Sequence, residues 1–225
     1  MGFFITFEGI EGCGKTTQLR LLKERLEAMG EKVTVTREPG GCPVADQMRA
    51  ILLDAKNSAI TPLAELLLYA AARAQHVQEV IVPALERGET VLCDRFTDAT
   101  VAYQGHGRGL DLAVIEELNR LATGSVQPAL TVLIDCPVEV GLSRALARIE
   151  ATSGDKEERF ERESLLFHQK VRNGYLTLAA AFAERFVVVD GSGDVQQTGL
   201  LVQEALCQRI ESLSRAGLTP IKAGC

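Results

Sequence analysis

The sequence predicts an α/β fold in three layers, with a five-stranded parallel sheet held between helices. Short apolar runs rich in β-branched residues recur at 3–7, 33–35, 90–93, 130–134 and 186–189. Longer helical patterns separate them, and alternating β and α segments build a parallel sheet. Such a sheet is buried on both faces, which explains why Thr90-Val91-Leu92-Cys93 and Leu130-Thr131-Val132-Leu133-Ile134 hardly alternate with polar residues.

Taken in order, helices are expected at 16–29, 43–54, 62–86, 111–122, 138–149, 159–183 and 195–215. Thr61 can cap the third, whose first turn accepts Pro62, and Pro83 predicts a kink or an early last turn. Residues 150–158 are polar and free of large apolar side chains, between two arginine-bearing helices. They mark a mobile lid spanning about 148–160. One domain is expected over 1–215, followed by a tail at 216–225 whose Gly217, Pro220 and Gly224 promise little anchorage and no catalytic part.

Composition narrows the classes. At 225 residues and 46% hydrophobic content the chain can bury one substantial core. A net charge of −6 with scattered arginines argues against extended nucleic-acid binding. No apolar stretch is long enough to span a membrane and no signal-type N-terminus is visible, so a cytoplasmic location is expected. The six cysteines, Cys13, Cys42, Cys93, Cys136, Cys207 and Cys225, form no C-x-x-C pair, and neither a zinc site nor a disulfide framework is expected.

Ligands gather beyond the carboxyl ends of parallel strands. There the sequence places its most specific motif, Gly9-Ile10-Glu11-Gly12-Cys13-Gly14-Lys15-Thr16, between an apolar strand and an amphipathic helix. This is a phosphate-binding P-loop, so the three layers are of the P-loop NTPase-like kind. Glycines let successive N–H groups face a β-phosphate, the helix N-terminus adds its dipole, Lys15 reaches the outer phosphates and Thr16 can ligate Mg²⁺, with Thr17 beside it. Asp94 ends a buried strand where a second carboxylate serves metal-bound water. A GTP switch would carry an Asn-Lys-x-Asp tetrad, which is absent, and a motor needs a larger chain, so a kinase ranks first.

A kinase joins two anions, and the acceptor needs its own cationic clamp. Arg37 follows the second strand, and Arg73 lies four residues beyond Tyr69, so that one helix face could offer a ring and a guanidinium. Asp135 also ends a strand but is read as structural.

Four further blocks, Thr36-Arg37-Glu38-Pro39-Gly40-Gly41, Tyr69-Ala70-Ala71-Ala72-Arg73-Ala74-Gln75-His76, Asp94-Arg95-Phe96 and Ala102-Tyr103-Gln104-Gly105-His106-Gly107-Arg108-Gly109, closely resemble the signature blocks of thymidylate kinases in that family's order. The resemblance runs to about residue 190. It implies ATP as phosphoryl donor, dTMP as acceptor, Mg²⁺ as cofactor and a homodimer. It places Tyr69 on the thymine where the family commonly has Phe, Thr100 at the thymine edge, Tyr103 against the deoxyribose, and Glu38 and Gln104 at the nucleotide. A polar residue often precedes Thr100; here it is Ala99. By the same resemblance Glu11 serves the acceptor end and Arg95 touches the acceptor phosphate. The family divides by whether an arginine stands at the position of Gly12. This chain is similar to the kind that uses a lid arginine, which makes Arg148 the transition-state arginine and Arg159 the second candidate, with Arg144 on the ATP side.

Overall fold

The computed structural model describes residues 2–124, 126–151 and 159–215. Strands β1 (Phe3–Glu8), β2 (Val33–Arg37), β3 (Thr90–Asp94), β4 (Leu130–Asp135) and β5 (Phe186–Asp190) are all parallel, in the order β2-β3-β1-β4-β5. All five predicted strands are present. Helices α1 (Lys15–Ala28), α2 (Pro43–Leu53), α3 (Pro62–His76), α4 (Val82–Glu86), α5 (Thr97–Thr100), α6 (Leu112–Thr123), α7 (Val138–Ala151), α8 (Leu165–Ala181) and α9 (Val195–Arg215) flank them.

Neighbouring side chains of β1 feed two separate cores, which is what burial of both sheet faces means physically. Phe3, Ile5 and Phe7 join β4, β5, α8 and α9 on one side, while Phe4 packs with Val77, Ile81, Leu85 and Phe96 on the other. Each such fully buried side chain contributes about 1.5–3 kcal/mol. The sheet thereby becomes a rigid shelf, and the loops at its carboxyl edge inherit that rigidity.

Three expectations about helices are corrected. The predicted helix 62–86 is continuous but passes through a π-turn at Val77–Ile81 before Pro83, so the missing proline N–H is absorbed by a widened turn. A helical stretch was not foreseen at 97–107: α5 runs into a π-helix over Val101–Gly107, against which α8 packs. A Cβ on Gly107 would lie 2.6 Å from Phe167 Cε2, so the glycine that reads as a breaker permits a close approach instead. The helix expected from 159 begins at Leu165, because Ser164 Oγ caps it by accepting from Phe167 N at 3.2 Å.

The lid expected at 148–160 falls partly on residues 152–158, and the tail on 216–225; both segments lie outside the described residues. Cys13, Cys42, Cys93 and Cys136 are buried free thiols, and Cys207 is disulfide-bonded. No helix among the described residues is long and apolar enough to cross a membrane.

Candidate active site

A cavity of about 580 Å³ opens at the carboxyl edge of β1, β2 and β3. Its floor at one end is the glycine loop. Gly9, Gly12 and Gly14 all have positive φ, which only glycine adopts without strain. Gly12 is constrained twice, since a Cβ there would lie 1.9 Å from Gly141 O on α7. Gly141 returns the constraint, its own Cβ position being 2.5 Å from Glu11 O. The loop thus sits directly on the backbone of the helix that carries Arg148, and no room exists for a side chain at Gly12. Lys15 is buried and folds back, donating from Nζ to Gly9 O at 3.0 Å, Ile10 O at 2.7 Å and Cys13 Sγ at 3.5 Å. Thr16 and Thr17 open α1, and Thr16 Oγ1 donates to Asp94 Oδ2 at 2.7 Å.

That hydroxyl and carboxylate are hard oxygen donors at the mouth of a phosphate loop, and they suit Mg²⁺. No cluster of three or more His, Cys, Asp or Glu able to hold a metal forms among the described residues. Two such oxygen donors suit an ion that keeps its other ligands on phosphate and water.

At the far end, Arg73 is buried and spends its guanidinium on the protein. Nε donates to Glu38 Oε2 (2.7 Å), Nη1 to Asn119 Oδ1 (2.7 Å), and Nη2 to Phe96 O (3.0 Å) and Thr100 Oγ1 (2.9 Å). Five N–H groups less four bonds leave one. Arg73, expected to clamp a phosphate, is a knot tying α3 to the loops after β2 and β3 and to α5 and α6, and it presents one N–H at most to the cavity. Behind it, Glu38 Oε1 faces His76 Nδ1 at 2.9 Å, and His76 Nε2 faces Thr36 Oγ1 at 2.6 Å. Since Thr100 accepts from Arg73, its own proton is available to an acceptor atom in the cavity. Tyr69 is half-buried on the same wall, its ring 6.5 Å from that of Phe160, and burial pushes its phenol above the usual range.

Between the two ends lies a node built on Glu11 and Arg95. Tyr103 Oη donates to Glu11 Oε1, Arg95 Nη2 donates to the same oxygen at 3.2 Å, and the Arg95 guanidinium stands 4.8 Å over the Tyr103 ring. Arg95 Nη1 donates to Tyr175 Oη at 2.9 Å, and Tyr175 donates on to Glu8 Oε2 at 2.8 Å. Burial pushes the Glu11 carboxyl upward, but His168, Arg95, Lys15 and Tyr103 outweigh it and hold it at about 2. Glu8 goes the other way: burial first, then Asp98, push it up to about 8. Two carboxylates three residues apart, one ending β1 and one in the loop, are thus pushed in opposite directions.

Arg37 is exposed at the cavity mouth and pairs with Asp46 at 3.0 Å. Gln104 lines the cavity while its Nε2 donates to Glu65 Oε1 at 2.8 Å. Arg148, late on α7, lines the cavity with its side chain 63% exposed and 3.8 Å from Glu161. Two further arginines named from the sequence are bonded to protein groups away from the cavity. Arg159 turns from the cavity, donating from Nη2 to Glu65 Oε2 at 2.6 Å and from Nε to Leu52 O, with its guanidinium 4.6 Å over the Phe160 ring. Glu65 is buried and also held by Arg108 at 3.2 Å. Arg144 instead braces the loop after β5, donating to Gly191 O at 2.8 Å and to Ser192 O and Gly193 O at 3.0 Å. Asp135 is held by both Nε and Nη2 of Arg172 at 2.7 Å.

Arg49, Phe160 and Glu161 also line the cavity and escape sequence reasoning. Arg49 reads as an ordinary polar face of α2; only folding brings its Nη1 to Pro39 O at 2.9 Å. Phe160 follows a polar stretch and carries no motif, yet it packs edge-to-face on Tyr103 at 5.5 Å.

Comparison with known proteins follows the same lines. The family model described as thymidylate kinase matches residues 7–199. The chain is 93% identical over 225 residues to the thymidylate kinase of Citrifermentans bemidjiense, covering 100% of each. It is 64% identical over 210 residues to that of Geotalea uraniireducens, covering 93% of this chain and 99% of the relative. Among solved structures, the thymidylate kinase from Ehrlichia chaffeensis superposes with a TM-score of 0.73 at 33% identity, covering 91% of this chain and 98% of that one.

Proposed function

The chain belongs to the thymidylate kinase family, so it transfers the γ-phosphoryl group of ATP to dTMP, and we propose that donor and acceptor meet in the single cavity between the glycine loop and the Arg73 knot. The observation that carries this is the shared space: Lys15 and Thr16 stand at one end, Tyr69, Arg73 and Thr100 at the other, with Glu11 and Arg95 between. The glycine loop takes the ATP phosphates, and Lys15 exchanges its loop carbonyls for their oxygens. Thymine stacks on Tyr69, while the Thr100 hydroxyl and the remaining Arg73 N–H meet its polar edge. The acceptor phosphate is gripped by Arg95, Arg37 and Arg49, which replace Arg73 in that task. Tyr103, held by Glu11, fills the space beside the sugar.

Thr16 and Asp94 would hold Mg²⁺, which would supply positive charge to the phosphoryl oxygens during transfer. Arg148 supplies the cation whose contact strengthens as the phosphoryl group moves, because it is the lid-side arginine that lines the cavity, with its side chain 63% exposed. We further assign the chain to a homodimer in the cytoplasm. Leu63 and Leu67 on α3 and Leu112 and Leu121 on α6 are exposed on helices that pack side by side, a face suited to a second copy.

Coupled ADP release with dTMP, dUMP, UMP and AMP as acceptors tests the reading. Highest kcat/KM for dTMP is expected; equal turnover of all four would remove the base-recognising role from Tyr69, Arg73 and Thr100. Light scattering should give twice the chain mass, and a monomer at assay concentration would end the dimer assignment.

A further inference from the structure

His168 on α8 is a fully buried imidazole that helps to hold the Glu11 carboxyl low but has no positioning role in the site as described so far. The other buried histidine of the region, His76, is bonded at both ring nitrogens, to Glu38 and Thr36. His168 is bonded at neither. Among the described residues, the buried side-chain polar atoms without a hydrogen-bond partner are His168 Nδ1, His168 Nε2 and Glu11 Oε2. Two of these three face each other, Nδ1 lying 3.3 Å from Oε2. Buried polar groups are otherwise paired, so two unsatisfied atoms 3.3 Å apart mark a bond that small adjustment completes.

We propose that His168 is a positioning residue for phosphoryl transfer, donating from Nδ1 to Glu11 Oε2 and so fixing the plane of the Glu11 carboxylate in the glycine loop. The proposal rests on the reading of Glu11 as a group that serves the acceptor end. Glu11 Oε1 is already held by Tyr103 and Arg95, so a bond to Oε2 adds the second anchor that fixes the carboxylate plane. An ionised carboxylate only accepts, so Nδ1 must carry the proton. Tyr175 stands seven residues after His168 on the same face of α8, and it holds Arg95. The two residues therefore make α8 a brace: Tyr175 positions Arg95, Arg95 positions Oε1, and His168 positions Oε2. The brace begins just after the Ser164 cap, so it links the segment following the lid to the glycine loop.

The test compares His168→Asn, whose amide nitrogen stands where Nδ1 does, with His168→Leu, which has no donor. Steady-state kinetics with ATP and dTMP should show kcat lowered about tenfold by the leucine, with KM for dTMP changed less, and restored to within about threefold by the asparagine, about tenfold being roughly 1.4 kcal/mol. In a Glu11→Ala background the leucine should cause no further fall in kcat. Equal impairment by both His168 variants, an unchanged kcat with the leucine, or additive losses with Glu11→Ala would overturn the proposal. If Glu11→Ala itself keeps full kcat, the reading of Glu11 is what fails, and the proposal falls with it. Should the leucine variant not fold, ¹⁵N spectra of the wild-type imidazole decide: protonation at Nδ1 is expected, and a neutral ring protonated at Nε2 contradicts it.

Discussion

Replacing Arg73 by alanine should damage the fold before it damages the chemistry. Arg73 makes four donor contacts and is 2% exposed, and its Nε lies 2.7 Å from a Glu38 carboxylate that is itself buried. Removing the guanidinium leaves Glu38 with His76 as its remaining partner and orphans Asn119 Oδ1. Breaking one side of a buried pair costs about 3–5 kcal/mol. For a chain of this length each kcal/mol shifts the midpoint by about 2–4 °C, so thermal unfolding followed by circular dichroism should show Tm lowered by about 6–20 °C. The double variant Arg73→Met with Glu38→Gln removes both charges and should be more stable than Arg73→Ala, because no uncompensated carboxylate remains. A Tm within about 2 °C of wild type for Arg73→Ala, against the 6 °C lower bound just derived, would refute the reasoning. So would a double variant less stable than the single.

Other outcomes follow from the same structure. Gly12→Ala combines a left-handed backbone cost of about 1–2 kcal/mol with a contact 1.9 Å from Gly141 O, so both Tm and ATP affinity should fall; an unchanged KM for ATP would mean that α7 yields freely. Glu8→Gln should gain stability relative to wild type as pH rises. A carboxyl raised from 4.5 to about 8 in the fold loses stability between those values, by about 1.4 kcal/mol per pH unit at most, while a glutamine does not. Urea unfolding at pH 5, 6.5 and 8 checks this, and a pH-independent difference would contradict the burial argument. Arg159→Ala should cost about 1.5–3 kcal/mol and leave kcat within about threefold, since its partners are Glu65 and Leu52 O; a kcat loss matching that of Arg148→Ala would return Arg159 to the chemistry.

Much of this architecture is legible in the sequence because its signals are local. Strand runs, the glycine loop and the Thr61 cap are each set by neighbours within a few residues, and the structure repeats them. The helical turn over 97–107 is hidden because Gly105 and Gly107 lower local propensity while gaining close contact with α6 and α8 that no local window contains. The site divides in the same way. Tyr69 and Arg73 do share a face, as their spacing says, but the spacing cannot report that Glu38, Thr100 and Asn119, 35, 27 and 46 residues away, consume the guanidinium. Arg159 is the second candidate by its nearness to the lid in sequence, yet its guanidinium bonds a buried Glu65 that lies 94 residues off. His168 and Arg49 look like ordinary helix residues until the helices are packed.

The central claim is that one cavity opposes two nucleotides and that Arg148 stabilises the phosphoryl group in flight. The most direct measurement is the steady-state rate of ADP formation from ATP and dTMP, wild type beside Arg148→Ala. The account predicts kcat lowered by about 10²–10³-fold, the loss typical of a transition-state donor, with KM for dTMP nearly unchanged. An unchanged kcat accompanied by a raised KM would contradict it, because Arg148 would then bind a ground state and the transition-state cation would have to come from elsewhere.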